Sequence, residues 1–216
     1  MRIRQTGFSL IEIAVVLVIL GLLIGSVLKG QELMTGARVR YLIRQQDDLK
    51  IAYFAFFDRY RALPGDYAGA VGVIPDLSTA ACNGGVGNGN GRIETAGNEN
   101  TLVWEHLSKA GFLNTKYTCA ATISPSTTPI NPYGEALEIV FDANYAGAAV
   151  SPRHNLKTGA MIPSNLLYEI DWKTDDGNPV NGSFRAVPPA ADCYDATAGA
   201  WLFKTPGSNC TAASVF

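Results

Sequence analysis

Apolar positions are concentrated at the start of the chain. From Phe8 to Leu28 it reads FSLIEIAVVLVILGLLIGSVL, 21 residues with a single charge, Glu12. At about 1.5 Å per residue, a helix of that length spans roughly 30 Å, the thickness of a bilayer core. The pattern then changes. Between Gln31 and Tyr60 there is no Pro, and Gly36 is the only Gly. Val39, Leu42, Leu49, Tyr53, Phe56 and Tyr60 recur at three- and four-residue spacing, with Gln46 filling the same seam. Such spacing predicts a helix with one apolar face, and Arg38, Arg40, Arg44, Asp47 and Asp48 fall largely off it. The aromatics Tyr53, Phe54, Phe56, Phe57 and Tyr60 are read as core packing. Leu63-Pro64-Gly65-Asp66 ends the helix, because Pro64 cannot continue it.

Beyond this point the elements are shorter. Residues 71–98 are loop-rich, and Gly84 to Gly91 (GGVGNGNG) is almost entirely Gly and Asn. Glu99 to Ala110 predicts a helix capped by Asn98 or Asn100 and closed by Gly111, with Leu102, Val103, Leu107 and Ala110 on its apolar side. His106 is placed at its surface or edge. Glu135 to Asp142 is the clearest strand, and Tyr145 to Val150 is expected to pair with it across a turn at Asn144. Ser164 to Asp176 predicts a helix capped by Ser164 and closed by Gly177, with Glu169 and Lys173 as an i,i+4 pair. Ser183 to Val187 and Ala200 to Lys204 are further strands, the latter expected to be the last.

Composition narrows the class. The 216 residues are 47% apolar and 17% charged, which excludes a disordered chain and allows a proper core. The formal net charge is −2, without the basic surplus of a nucleic-acid binder. The charge is uneven: residues 1–61 carry nine Lys and Arg against five Asp and Glu, while residues 62–216 carry eight against fourteen. A basic first third on an acidic body suggests parts in different surroundings. The only histidines are His106 and His154, and neither G-x-S-x-G nor H-E-x-x-H occurs. An enzyme is not expected.

The leader MRIRQTG carries Arg2 and Arg4, so the start looks like a secretory signal: a basic head and an apolar run. The run exceeds the about 7–15 residues of a signal core, and no small-x-small cleavage site follows it. The stretch is therefore expected to stay attached as a membrane helix. Glu12 then needs a reason, since a carboxylate in an apolar membrane helix costs a few kcal/mol. Either it reaches water at the interface, or it finds a positive partner inside an assembly.

Gly7-Phe8-Ser9-Leu10-Ile11-Glu12, with its short basic leader and apolar run, resembles the processing site of type IV prepilins and pseudopilins. The resemblance implies cleavage by a prepilin peptidase between Gly7 and Phe8 and N-methylation of the new Phe8 amine. It also implies that Glu12 of one subunit neutralises the Phe8 amine of its neighbour in a filament. An inner-membrane assembly platform and other pilins are the implied partners; no cofactor and no nucleic acid are. Arg2 and Arg4 favour a cytoplasmic N-terminus, but Lys29, Arg38, Arg40 and Arg44 lie beyond the other end, so charge alone leaves the orientation open. The family resemblance puts the body in the periplasm, and later in a periplasmic or cell-surface filament. Where many pilins carry a Pro near the position of Lys29, this chain has Gly21, Gly25 and Gly30.

The expected fold is α+β, a type IV pilin-like lollipop whose long N-terminal helix packs on a small antiparallel sheet in a loop-rich, disulfide-stapled body. Its parts are a cytoplasmic leader (1–7), a transmembrane or filament-core helix (8–28), the amphipathic second half of that helix (29–62) and an extracytoplasmic globular domain (63–216). Cys82, Cys119, Cys193 and Cys210 lack C-x-x-C spacing, which argues against zinc, and an even count outside the cytoplasm reads as two disulfides. Three pairings are open; nearest-neighbour pairing, Cys82–Cys119 and Cys193–Cys210, is preferred, the second stapling a C-terminal loop as in pilins. Some relatives carry acidic calcium loops. Here Asn88 and Asn90 stand at the ligand positions with only Glu94 nearby, so a plain turn is expected over a calcium site. Asp175-Asp176-Gly177 is likewise read as a turn with a left-handed Gly rather than a metal site. The competing reading is a membrane-anchored periplasmic binding module that does not polymerise; such an anchor needs neither Gly7 nor Glu12.

Overall fold

The computed structural model describes residues 9–80, 82–189 and 191–216. The chain divides into two compact units, Met1–Arg38 and Val39–Phe216. One helix, α1 (Leu10–Tyr60, 51 residues), contributes to both. It is continuous through Gly21, Gly25 and Gly30.

In the first unit the apolar side chains of α1 from Leu10 to Leu28 are exposed. Leu10 is 91% exposed, and Ile11, Leu17, Leu22 and Leu28 are exposed as well. The segment is long and apolar enough to cross a membrane. Ser26 returns its hydroxyl to the Leu22 carbonyl and Thr35 to that of Gln31, which removes two donors from an apolar surface.

The second unit is α+β. Within it α1 buries Val39, Leu42, Gln46, Leu49, Ala52, Tyr53 and Phe56, the stripe its spacing predicts, with Tyr60 half-buried. Phe54 and Phe57 correct the sequence reading: they are 51% and 42% exposed, because they stand about 200° and about 100° round the helix from Phe56, off the buried stripe. The helix ends at Tyr60, where Arg61 takes a left-handed φ of 52°. A single turn, α2 (Cys82–Gly85), precedes α3 (Glu99–Lys109) and, later, α4 (Ser164–Thr174).

The sheet has four antiparallel strands: β1 (Glu138–Asp142), β2 (Arg153–Lys157), β3 (Phe184–Ala186) and β6 (Ala212–Val215), in the order β1-β2-β6-β3. Between β3 and β6 in the chain, β4 (Tyr194–Asp195) and β5 (Ala200–Trp201) form a separate two-stranded ribbon. Three strand expectations are corrected. The partner of β1 is Arg153–Lys157, not Tyr145–Val150; Glu138 lies opposite Lys157 and Asp142 opposite Arg153. Only Ala200–Trp201 of the expected strand Ala200–Lys204 forms. The last strand is β6, which sits between two neighbours with Ala212, Ala213 and Ser214 all buried. A central strand of small residues buried on both faces shows no alternation to find.

Two caps also differ. Asn98 stands at the N-cap of α3 in a left-handed conformation, with no side-chain capping bond. Pro163 takes the N-cap position of α4, while Ser164 donates its hydroxyl to the Leu202 carbonyl. Gly111, at φ 85°, follows α3 as its composition predicts.

Two large apolar clusters fill the second unit, beside a small third of Cys82, Leu102 and Cys119. One joins Leu49, Phe56, Val103, Trp104, Leu107, Ile139 and Leu156; the other joins Val39, Leu42, Ile162, Leu167, Ile170, Phe184 and Trp201. Gln46 lies on α1 between Leu42 and Leu49, that is, between residues of the two clusters. It is 4% exposed, and neither atom of its amide has a partner among the described residues. A buried unpaired amide costs about 1–3 kcal/mol, whereas an apolar group of similar shape costs nothing comparable. Gln46→Leu should therefore stabilise the protein by about 1 kcal/mol or more. An unchanged or lower urea midpoint for this variant would show that the amide is satisfied after all.

Candidate functional site

Two regions carry polar chemistry. The first is the start of α1. Gly7 and Phe8 lie outside the described residues. Glu12 is exposed in the first turn, its backbone N–H donating to the Ser9 carbonyl at 3.1 Å. A carboxylate in a first turn is favoured by the positive end of the helix dipole. Around it the side chains are apolar and exposed.

The second region is the segment between α1 and α3. It lends Ala70, Ile74 and Ile93 to the first apolar cluster, and the rest of it is held by backbone N–H groups that donate to buried acceptors. Three acceptors come from α3. His106 Nδ1 accepts from Gly65 N at 3.0 Å; that leaves the proton on Nε2, which lies 3.1 Å from the Gly85 carbonyl. Glu105 accepts from Ser78 N at 2.7 Å and Cys119 N at 2.8 Å. Glu99 accepts from Asn88 N at 2.9 Å and Glu94 N at 3.0 Å. The fourth acceptor, Asp66, is 4% exposed and takes Gly89 N, Asn90 N and Gly91 N at 2.7, 3.1 and 2.7 Å. From β2, His154 Nε2 accepts from Ile93 N at 3.3 Å.

Two glycines permit the close packing. A Cβ on Gly65, at φ +87°, would stand 2.6 Å from the Glu99 carbonyl oxygen. One on Gly87 would stand 2.3 Å from Asp66 Cα.

His106 is thus buried, not at a surface or edge. Its position explains this: it shares a helical face with Glu99, Leu102 and Val103, all buried. That spacing was the available signal for the site. Nothing local pointed to Asp66, whose partners lie more than twenty residues away.

The asparagines proposed as weak calcium ligands are occupied otherwise. Asn88 Oδ1 accepts from Asn90 N and Asn90 Oδ1 from Arg92 N, while Asn90 Nδ2 donates to Glu94 at 3.1 Å. Calcium needs six to eight converging oxygens, and these are turned onto N–H groups, so the arrangement does not fit the ion. Carboxylate oxygens of Asp171, Asp175 and Asp176 gather within 4.8 Å. Each residue has donors: Asp171 takes Trp201 Nε1 at 2.7 Å and Gly177 N at 3.2 Å, Asp175 takes Ser183 N and Phe184 N, and Asp176 takes Asn178 N. Gly177 is left-handed, at φ 75°. Cys82 is bonded to Cys119 and Cys193 to Cys210, with Cα separations of 6.1 and 5.7 Å.

Burial sets the protonation of these groups. It lowers the His106 pKa to about 4 from 6.5, against the opposing bond to the Gly85 carbonyl. It raises Glu99, opposed by the Asn88 and Glu94 N–H groups. Burial also raises Asp171 to about 6, opposed first by the Trp201 indole. A histidine with a lowered folded pKa gives stability that is complete above about pH 6.5 and lost as the pH falls towards about 4. The loss attributable to His106 is roughly 3 kcal/mol. Asp171 acts with the opposite sign, since its raised pKa favours the fold at low pH. The difference in urea stability between wild type and His106→Asn across this range isolates the histidine. A constant difference would contradict the buried neutral ring.

An α+β body follows a helix apolar enough to span a membrane, and its buried Asp66, Glu99, Glu105 and His106 accept backbone N–H groups. Residues 2–28 match the family model of the prokaryotic N-terminal methylation motif, a stretch that includes Gly7, Phe8 and Glu12. The N-terminus therefore carries the motif of a type IV pilin-like precursor, on a helix long and apolar enough to cross a membrane. No curated protein and no solved structure matches the chain.

Proposed function

We propose that the chain is a structural subunit of a type IV pilus or a type II secretion pseudopilus. A prepilin peptidase cuts between Gly7 and Phe8, removing the leader 1–7, and the Phe8 amine is methylated. Residues 8–28 hold the subunit in the inner membrane and later enter the filament core; 29–62 form the amphipathic half of the helix, and 63–216 the periplasmic domain. In the filament the Glu12 carboxylate meets the cationic Phe8 amine of a neighbouring subunit. Membrane and filament core are equivalent environments for an apolar helix, so transfer between them leaves its side chains covered. Other pilins and an inner-membrane assembly platform are the partners.

The observation that carries this reading is the methylation motif at residues 2–28, on a helix segment whose apolar side chains from Leu10 to Leu28 are exposed. A simple anchor would need the helix but not the motif. The test is electron microscopy of sheared filaments, combined with N-terminal sequencing of their subunit. The expected result is a regular subunit repeat and a chain that starts at a methylated Phe8. A working form that retains Met1 would overturn it.

A further inference from the structure

Two adjacent Asn-Gly pairs, Asn88-Gly89 and Asn90-Gly91, lie exposed in the loop that Asp66 holds. Asn-Gly is the dipeptide most open to self-modification, because glycine puts no Cβ in the way. The glycine nitrogen attacks the asparagine Cγ, and the new N–Cγ bond closes a succinimide ring. The Cγ–Nδ2 bond breaks, and ammonia leaves with the proton that the nitrogen gave up. Water then opens the ring at either carbonyl, leaving aspartate or its β-linked isomer. The sequence is redox-neutral and needs only water.

In this protein both attacking nitrogens are engaged. Gly89 N donates to Asp66 Oδ1 and Gly91 N to Asp66 Oδ2, each at 2.7 Å. The asparagine amides are engaged too: Asn88 Oδ1 accepts from Asn90 N at 2.9 Å and Asn90 Oδ1 from Arg92 N at 2.8 Å. To attack, each nitrogen must leave a charge-assisted bond to a carboxylate that is itself 4% exposed. We propose that Asp66 guards these two Asn-Gly pairs against deamidation, by holding the nitrogen of each glycine on a separate carboxylate oxygen.

The guard protects more than the two amides. Conversion at either site places a new negative charge beside Asp66, Glu94 and Glu99, which already share this small volume. Like charges there loosen the loop that the carboxylates hold together.

The chain contains its own comparison. Asn181-Gly182 is also exposed, in the turn before β3. Its neighbouring carboxylate, Asp175, takes the N–H groups of Ser183 and Phe184 instead, so no carboxylate holds the Gly182 nitrogen among the described residues.

The test is ageing of the full chain in detergent, in mildly alkaline buffer, followed by peptide mapping that resolves aspartate from its isomer. Asn88 and Asn90 should convert about tenfold or more slowly than Asn181 in the folded protein. In the reduced, denatured chain the three should convert at similar rates. Asp66→Asn should raise the rates at 88 and 90 and leave that at 181 unchanged. Glu94→Gln, which removes a carboxylate bonded to the Asn90 amide but to neither glycine, should leave the protection in place. The proposal is overturned if 88 and 90 convert as fast as 181 in the folded wild type, or faster, the latter meaning that Asp66 draws the proton off. It is equally overturned if Glu94→Gln exposes them as fully as Asp66→Asn.

Discussion

Replacing Glu12 by alanine should leave the protein in the membrane fraction and remove its filaments. Insertion does not need the carboxylate; at the centre of a membrane helix an acid costs about 2.5–3.5 kcal/mol, so its loss favours the membrane state if anything. Assembly is different. In the proposed filament core the Phe8 amine of each subunit is buried among apolar helices, and Glu12 is the only acid between Phe8 and Leu28. Removing one member of a buried pair leaves the other charge uncompensated, at about 3–5 kcal/mol per interface. That corresponds to a loss of a hundredfold or more in each subunit addition, by about 1.4 kcal/mol per factor of ten. The measurement is filament yield by shearing, set against membrane content by fractionation. Filaments at the wild-type level from Glu12→Ala would dissociate the carboxylate from assembly.

Reduction of both disulfides should unfold the body. Cys82–Cys119 closes a loop of sequence separation 37, and Cys193–Cys210 one of 17. In the chain-entropy description these are worth about 4 and about 3 kcal/mol. Together they rival the whole stability of an ordinary domain, about 5–15 kcal/mol. The loss has local causes as well. Cys119 belongs to a small cluster with Leu102, and its N–H is one of the two that Glu105 accepts. Cys193 and Cys210 are buried beside Ile162 and Trp201 in the second apolar cluster. Cys193→Ser with Cys210→Ser should therefore lower the urea midpoint even with the other disulfide intact. A reduced protein that keeps its near-ultraviolet circular dichroism would show that the two clusters hold without their bonds.

Long periodic features were legible in the chain. The stripe from Val39 to Phe56 repeats over five turns of α1, so every turn reports the same buried face. The helix Glu99–Lys109, the strand Glu138–Asp142 and the helix Ser164–Thr174 are each marked by local pattern or by a turn residue next to them. The methylation motif is a run of adjacent residues and needs no fold to be seen. Phe54 and Phe57 were misjudged because an aromatic residue suggests burial by type, whereas its angle on the helix decides.

By itself, then, the order of residues determined the apolar helix, the methylation motif and the α+β composition of the body, since each is written in neighbours or in a short period. Only the tertiary structure decided which strand lies beside β1, that Ala212–Val215 runs through the middle of the sheet, and that Asp66, Glu99, Glu105 and His106 turn inward to take the N–H groups of a polar loop. The reason is physical. A backbone donor looks the same at every residue, so nothing local reveals which distant acceptor it will meet; that is settled when the chain closes and each buried polar group must find a partner.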